Sequence, residues 1–274
     1  MIDESNVSAH YSNTDLYKKI KHGLTELGIS LDSVNIENLS LVDDFHIGGA
    51  AATQFIADRL HLDREKTILD IGCGIGGPAR YMAKMSGCKV HGIDLTQNYI
   101  ETGIQLNALV GLDDKVNLKQ GSALALPYDN FSFDGAYMIH VGMNIERKNQ
   151  LMAEVFRVLK GGNNFVLFDV MKITDEAIDY PMPWAEKIEE SAVDKVQAYE
   201  AALGEAGFSI LDVEDKNQFA INFFETMIAR MKEVGPRPLG LHLLMGDNTK
   251  EKVMNAYKQF QDGRLSPILM VAQK

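Results

Sequence analysis

A chain of 274 residues with 46% hydrophobic content is long enough for one generous α/β core and too apolar for wholesale disorder. Its formal net charge of −11 leaves too little cationic surface to neutralise a nucleic-acid backbone. Cys73 and Cys88, the only cysteines, can neither build a zinc site alone nor form a disulfide framework, and no apolar run reaches the roughly 18 residues of a membrane span.

The chain starts with MIDESNVSAHYSN, polar and acidic, which is no secretory signal. The expectation is a soluble cytoplasmic protein with no membrane and no nucleic acid as partner. Residues 1–62 read as a helical cap in pieces, with DLYKKIKHGLTELG amphipathic at helical spacing. From Thr67 to Lys172 short apolar runs alternate with helical patterns, as βαβ units on a parallel sheet do. TILDIG is the first strand and GPARYMAKMSG its helix, with Pro78 in the first turn, where its missing N–H does no harm. KVHGIDL is the second strand, and QNYIETGIQLNALVG a helix closed by Gly111. VNLKQGSA is the third strand and FDGAYMIHV the fourth; ERKNQLMAEVFRVLKGG is a helix with a Gly-Gly stop, and NNFVLFDVM the fifth strand. VDKVQAYEAALGEAGF predicts a helix, SILDVED a sixth strand and LSPILMVAQK an apolar terminal strand.

Residues 217–264 interrupt this alternation between the last two strands with two helices around a Gly/Pro-rich break. Such an insertion lies over the carboxyl edge of the sheet, where open α/β folds bind ligands, or else packs as extra helices. The expected architecture is a doubly wound, Rossmann-like α/β sheet. Its parts are a helical cap over 1–62 and a main domain over 63–274, with 217–264 as a helical insertion.

The turn after the first strand carries the chemistry. GCGIGG satisfies G-x-G-x-x-G through Gly72, Gly74 and Gly77, between a strand and a helix. Asp94 ends the next strand, where a carboxylate accepts hydrogen bonds from both hydroxyls of a ribose. The pattern points to an adenine nucleoside, and Asp70 bears on which one. A pyrophosphate about 4 Å from that carboxylate would cost about 4 kcal/mol at an effective dielectric near 20. S-adenosylmethionine brings an ammonium and a sulfonium instead, and no phosphate. Asp70 therefore suits a cationic ligand, the other reading being a cap or backbone contact at the turn.

ILDIGCGIGGPARYMA, VHGIDLTQNYIETG, GSALALPYDNFSFDGAY and EVFRVLKGG, in this order and spacing, resemble the class I S-adenosylmethionine-dependent methyltransferases. The resemblance implies a seven-stranded sheet with its last strand antiparallel and S-adenosyl-L-methionine as cofactor. Gly72, Gly74 and Gly76 would shape the cofactor turn, Asp94 would hold the ribose and Leu95 would pack on the adenine. Family members often place an acid after the glycine of GSA to bond the adenine amino group. Ser122 stands there, so its hydroxyl or the Ala123 N–H would serve that edge. HYSNTDL, DDFHIGGAAAT, IHVGMNI, PMPWA and RPLGLHLLMG further resemble the sarcosine/dimethylglycine N-methyltransferase-like branch, with Ile139 where that branch has Gln.

Methyl transfer needs alignment and dryness more than chemistry from the protein. His140, at the end of the fourth strand, is the candidate base or orienter, the alternative being a histidine bonded to backbone beneath the cofactor. His46, in the FHIGG loop, and Asn144 are candidates for the substrate pocket. Trp184 offers a face for a cationic amine or else is core, and Tyr11 is a candidate to fold over the cofactor. Met143, Met182, Met231 and Met245 are candidates for an adaptable apolar wall. His10, His22, His61 and His91 show no metal spacing, so no metal is expected.

The expected function is methylation of a small-molecule acceptor, first an amine such as sarcosine or dimethylglycine. O- or C-methylation of another metabolite is the alternative. An NAD-dependent oxidoreductase and a cofactor-binding sensor are the rivals from other classes. A homodimer stays open.

Overall fold

The computed structural model describes residues 4–11, 15–43, 45–235 and 238–274. Residues 1–3, 12–14, 44 and 236–237 lie outside that set, and with them parts of MIDESNVSAHYSN, HYSNTDL, DDFHIGGAAAT and RPLGLHLLMG. In chain order the helices before the sheet are α1 (Glu4–Tyr11), α2 (Leu16–Glu26), α3 (Ile36–Asp43) and α4 (Gly49–Leu60). The core follows as β1 (Thr67–Ile71), α5 (Gly77–Ser86), β2 (Lys89–Asp94), α6 (Gln97–Leu109), β3 (Val116–Gln120) and β4 (Gly135–Ile139). It continues with α7 (Lys148–Val158), β5 (Asn164–Lys172), α8 (Val196–Ala206) and β6 (Ser209–Asp215). Helices α9 (Asn217–Val234), α10 (His242–Met245) and α11 (Thr249–Gln261) then precede β7 (Leu265–Gln273).

The seven strands form one sheet in the order β3-β2-β1-β4-β5-β7-β6, and β7 runs antiparallel to both of its neighbours. The central strands are apolar on both faces because helices cover both. On β5, Phe165, Leu167 and Met171 join the cluster under α7 and α8, whereas Val166, Phe168 and Val170 join the one shared with α4, α9 and α11. That period of two is the pleat of the strand. The strand order reverses between β1 and β4, so the crevice for a ligand opens outside their carboxyl ends.

Two groups of helices roof this crevice. Leu16, Ile20 and Leu24 make the apolar stripe of α2, and they pack in one cluster with Leu239 and Leu244 from the insertion. Gly23 permits the approach: a Cβ there would sit 2.9 Å from the Pro238 carbonyl oxygen. Helix α4 packs directly against the sheet through Ala52, Ile56 and Leu60. The insertion, expected as two helices around a break, holds a third one-turn helix, α10, inside the break itself. Among the described residues no helix is long and apolar enough to cross a membrane.

Candidate active site

A cavity of about 210 Å³ lies outside the ends of β1, β2 and β4. One half is built by the turn between β1 and α5. Gly72, Gly74 and Gly76 have φ of 72°, 54° and 86°, angles at which any residue but glycine is strained. The Gly72 and Cys73 N–H groups both donate to the Ile93 carbonyl, at 2.8 and 3.0 Å, and so tie the turn to β2. A Cβ on Gly72 would meet Val141 at 2.2 Å, while one on Gly74 would enter open space. Gly76 does not reach the cavity; it caps α5, and a Cβ there would touch Leu118 at 3.0 Å.

Asp70 is 2% exposed and lines the cavity, and its Oδ2 has no hydrogen-bond partner among the described residues. Burial pushes its carboxyl up to about 7, against the Tyr137 hydroxyl, which lowers it, and with Asp94, which raises it. Asp94 accepts the Gly74 N–H on Oδ2 at 2.9 Å and the Thr96 N–H on Oδ1 at 2.8 Å, which fixes its carboxylate at the cavity edge. Leu95 and Ala123 line the same half. Ser122 does not. Its hydroxyl accepts the Leu124 N–H at 3.0 Å and donates to Glu4 of α1, because the tight turn there satisfies its own backbone first. An unpartnered carboxylate oxygen, room above Gly74 and a fixed carboxylate at the β2 end fit the ammonium, amino-acid chain and ribose of S-adenosylmethionine. Among the described residues no group of three or more His, Cys, Asp or Glu is placed to hold a metal ion.

His140 sits at the mouth of β4 with φ of 55°, held by its own N–H donating to the Phe168 carbonyl at 2.8 Å. Its Nε2 accepts the Ile47 N–H at 3.1 Å, so the ring proton sits on Nδ1, which has no partner among the described residues. Burial first, and His46 second, pull its pKa down to about 3. The basic nitrogen is thus engaged with backbone, and the other nitrogen is a hydrogen-bond donor.

His46 is buried, and its nitrogens lie 3.5 Å from the Ile47 carbonyl and 3.4 Å from Thr53 Oγ1. Burial pulls its pKa down to about 4. Its ring lies 6.4 Å from that of His140, so both neutral imidazoles edge the same cavity. Asn144 donates from Nδ2 to the Tyr11 hydroxyl at 3.3 Å, and its Oδ1 is buried with no partner among the described residues. Tyr11 packs on Tyr99 and Phe45, with ring centroids 6.1 and 6.2 Å away. Trp184 is 4% exposed in the cavity wall, and its indole N–H donates to Ser191 Oγ at 2.9 Å.

The other half of the cavity is apolar and comes largely from the insertion: Phe223, Phe224 and Met227 of α9, Met245 of α10, Val253 and Phe260 of α11. Of these only Met245 is among the methionines singled out from the sequence; the aromatic pair at 223–224 inside an amphipathic helix is the signal for the rest. Met143 also lines the wall, whereas Met182 is buried core beside Gln259 and Met231, one turn beyond Met227 on α9, is exposed.

Two buried networks hold the site from below. Tyr199 donates to Asp169 Oδ2 at 2.6 Å, and a Cβ on Gly142 would strike that oxygen at 2.2 Å, so the turn bearing Asn144 rests on this pair. Arg80, fully buried, donates to Asp43 at 2.6 and 3.2 Å and to Asn107 Oδ1 at 2.8 Å, which joins α3 to α5 and α6.

Strand order, an antiparallel last strand and a glycine turn with an acid at its throat define the class I methyltransferase fold. The chain matches, over residues 69–167, the family described as "Methyltransferase domain". It is similar to 24-methylenesterol C-methyltransferase 2 of Oryza sativa subsp. japonica, 37% identical over 42% of this chain and 31% of that protein. The chain spans 66%, 31% and 42% of the length of the first curated relatives it matches. Among solved structures, a sarcosine/dimethylglycine methyltransferase-like protein from Galdieria sulphuraria superposes with a TM-score of 0.70 at 18% identity, covering 94% of this chain and 98% of that one. Geranyl diphosphate C-methyltransferase from Streptomyces coelicolor A3(2), solved with geranyl diphosphate and S-adenosyl-L-homocysteine, superposes with a TM-score of 0.67 at 18% identity, over 82% of this chain and 78% of that one.

Proposed function

We propose that this protein transfers the methyl group of S-adenosylmethionine to a small, mostly apolar acceptor, at a carbon, an oxygen or an uncharged amine. The observation that carries the reading is the division of one cavity into a nucleoside half around Asp70 and Asp94 and an apolar half from α9 to α11. Of the described Lys and Arg residues only Arg147 lines it, and Arg147 is exposed and bonded to Gln150. A zwitterion such as sarcosine or dimethylglycine would bring a carboxylate that no buried cation among the described lining residues receives, which is costly in an apolar wall. The resemblance to a sterol C-methyltransferase supports the apolar acceptor.

Bound at the turn, the cofactor would supply an already activated methyl group. The chain's residues would hold and align. Asp70 receives the ammonium, Asp94 the ribose hydroxyls, and Leu95 packs on the base. His140 Nδ1–H and Asn144 Oδ1, a donor and an acceptor on residues of the cavity wall, orient the acceptor molecule. Tyr11, Trp184 and the insertion exclude water, which keeps the reacting partners in line.

The test is calorimetry with S-adenosylhomocysteine and with NADH, followed by labelled methyl transfer to a panel of apolar alcohols, alkenes and amines beside sarcosine and dimethylglycine. Binding of S-adenosylhomocysteine without NADH, and label in an apolar product, are the expected results. NADH binding alone would overturn the reading, and label confined to sarcosine or dimethylglycine would overturn the acceptor class.

A further inference from the structure

We infer that Glu4, on α1, supplies the hydrogen-bond acceptor for the exocyclic amino group of the cofactor's adenine; this rests on the proposed binding of S-adenosylmethionine. The sheet edge sets the position. Asp94 ends β2, and the Gly121 N–H at the end of the neighbouring β3 donates to the Asp94 carbonyl at 2.9 Å. A base carried by a ribose at Asp94 and packed on Leu95 therefore extends toward 121–123. The polar edge of adenine has one donor, the amino group, beside one acceptor, the ring nitrogen. Ala123 offers a main-chain N–H for the ring nitrogen.

That strand end carries no acidic side chain of its own. Residue 122 is a serine whose hydroxyl is turned onto Leu124 N–H and Glu4. The same bond pins the Glu4 carboxylate in this corner, and Glu4 lines the cavity beside Gly121 and Ala123. Helix α1 is set for this. Glu4, Val7 and Tyr11 share one face at i, i+3 and i+7 and all line the cavity, while Ser8 Oγ donates to the Leu95 carbonyl at 3.4 Å. A carboxylate has about four lone-pair sites, so one bond from Ser122 leaves capacity for an N–H donor. The acid that recognises the base thus comes from the N-terminal helix rather than from the sheet.

The experiment is calorimetry on the full chain with S-adenosylhomocysteine and its 6-oxo analogue, S-inosylhomocysteine. The analogue turns a carbonyl oxygen toward the carboxylate and an N–H toward the Ala123 N–H. The unaltered chain is expected to prefer the amino form by roughly 100-fold, as charged hydrogen bonds allow. Glu4→Ala is expected to narrow that ratio about tenfold, and Glu4→Gln, which keeps a partner for Ser122 but can donate to the oxo group, at least as much. Glu4→Ala combined with Ser122→Asp is expected to restore the ratio, because it returns a carboxylate to the same corner. If both affinities fall together in Glu4→Ala and the ratio holds, Glu4 only docks α1 and the inference is overturned. A chain that binds neither nucleoside overturns the methyltransferase reading instead.

Discussion

Burial holds Asp70 at about 7, with one oxygen unpartnered at the cavity wall, so a cationic ligand arriving there has a proton to displace. Below that value the carboxyl is neutral and offers an ammonium little; above it the charge is in place. Affinity for S-adenosylhomocysteine is therefore expected to rise from pH 6 to pH 8, by at most about tenfold per unit on the acid side, with protons released on binding. Asp70→Asn is expected to weaken binding and flatten that profile; calorimetry in buffers of different ionisation enthalpy reads both. An unchanged slope in the variant would mean another group titrates. This residue was legible in the sequence because its neighbours in the site are its neighbours in the chain. His140 was legible only as a position. Its chemistry is set by the Ile47 N–H, 93 residues away in sequence, which chooses the tautomer.

Helix α3 is joined to α5 by the Arg80–Asp43 pair, both side chains buried. Removing one partner leaves the other charge stranded, so Arg80→Met is expected to cost about 3–5 kcal/mol. In thermal unfolding that is a fall of roughly 10 °C for a chain of this size. At the other side of the cavity, Met227→Lys puts a charge into the apolar half. Turnover of an apolar acceptor is expected to fall at least tenfold, with affinity for S-adenosylhomocysteine within about twofold, since α9 contributes to the acceptor side only. The strands could be read from local runs such as NFVLFDVM, because a buried parallel strand is apolar throughout. The insertion could be located but its inner face could not, because α9 carries aromatic residues at 219, 223 and 224, which point to more than one side. Helix α10, four residues long, is too short to leave a period.

Across the molecule, four buried groups titrate against one another. The depressed pKa values of His46 and His140, about 4 and 3, make their contribution to stability complete above the ordinary 6.5 and lost as pH falls toward those values. Asp70 and Asp169, both raised to about 7, contribute fully below the ordinary 3.8 and lose that contribution as pH rises through 7. Between about pH 4 and 6.5 the pairs oppose, each group changing stability by at most about 1.4 kcal/mol per pH unit. Their sum is close to flat. Asp169→Asn, which keeps an acceptor for Tyr199, is expected to tilt stability upward with pH, and His46→Gln to tilt it downward. Urea unfolding at three pH values across this window measures the tilt, and parallel curves for both variants would refute the balance. The sequence showed these groups singly; the opposition arises only when the fold desolvates all four.

The cavity also has an optical consequence. Trp184 is the sole tryptophan of the chain, packed in the cavity wall and anchored by Ser191. Its ultraviolet emission is thus a built-in gauge of what fills the chamber, readable by stopped flow without any attached dye.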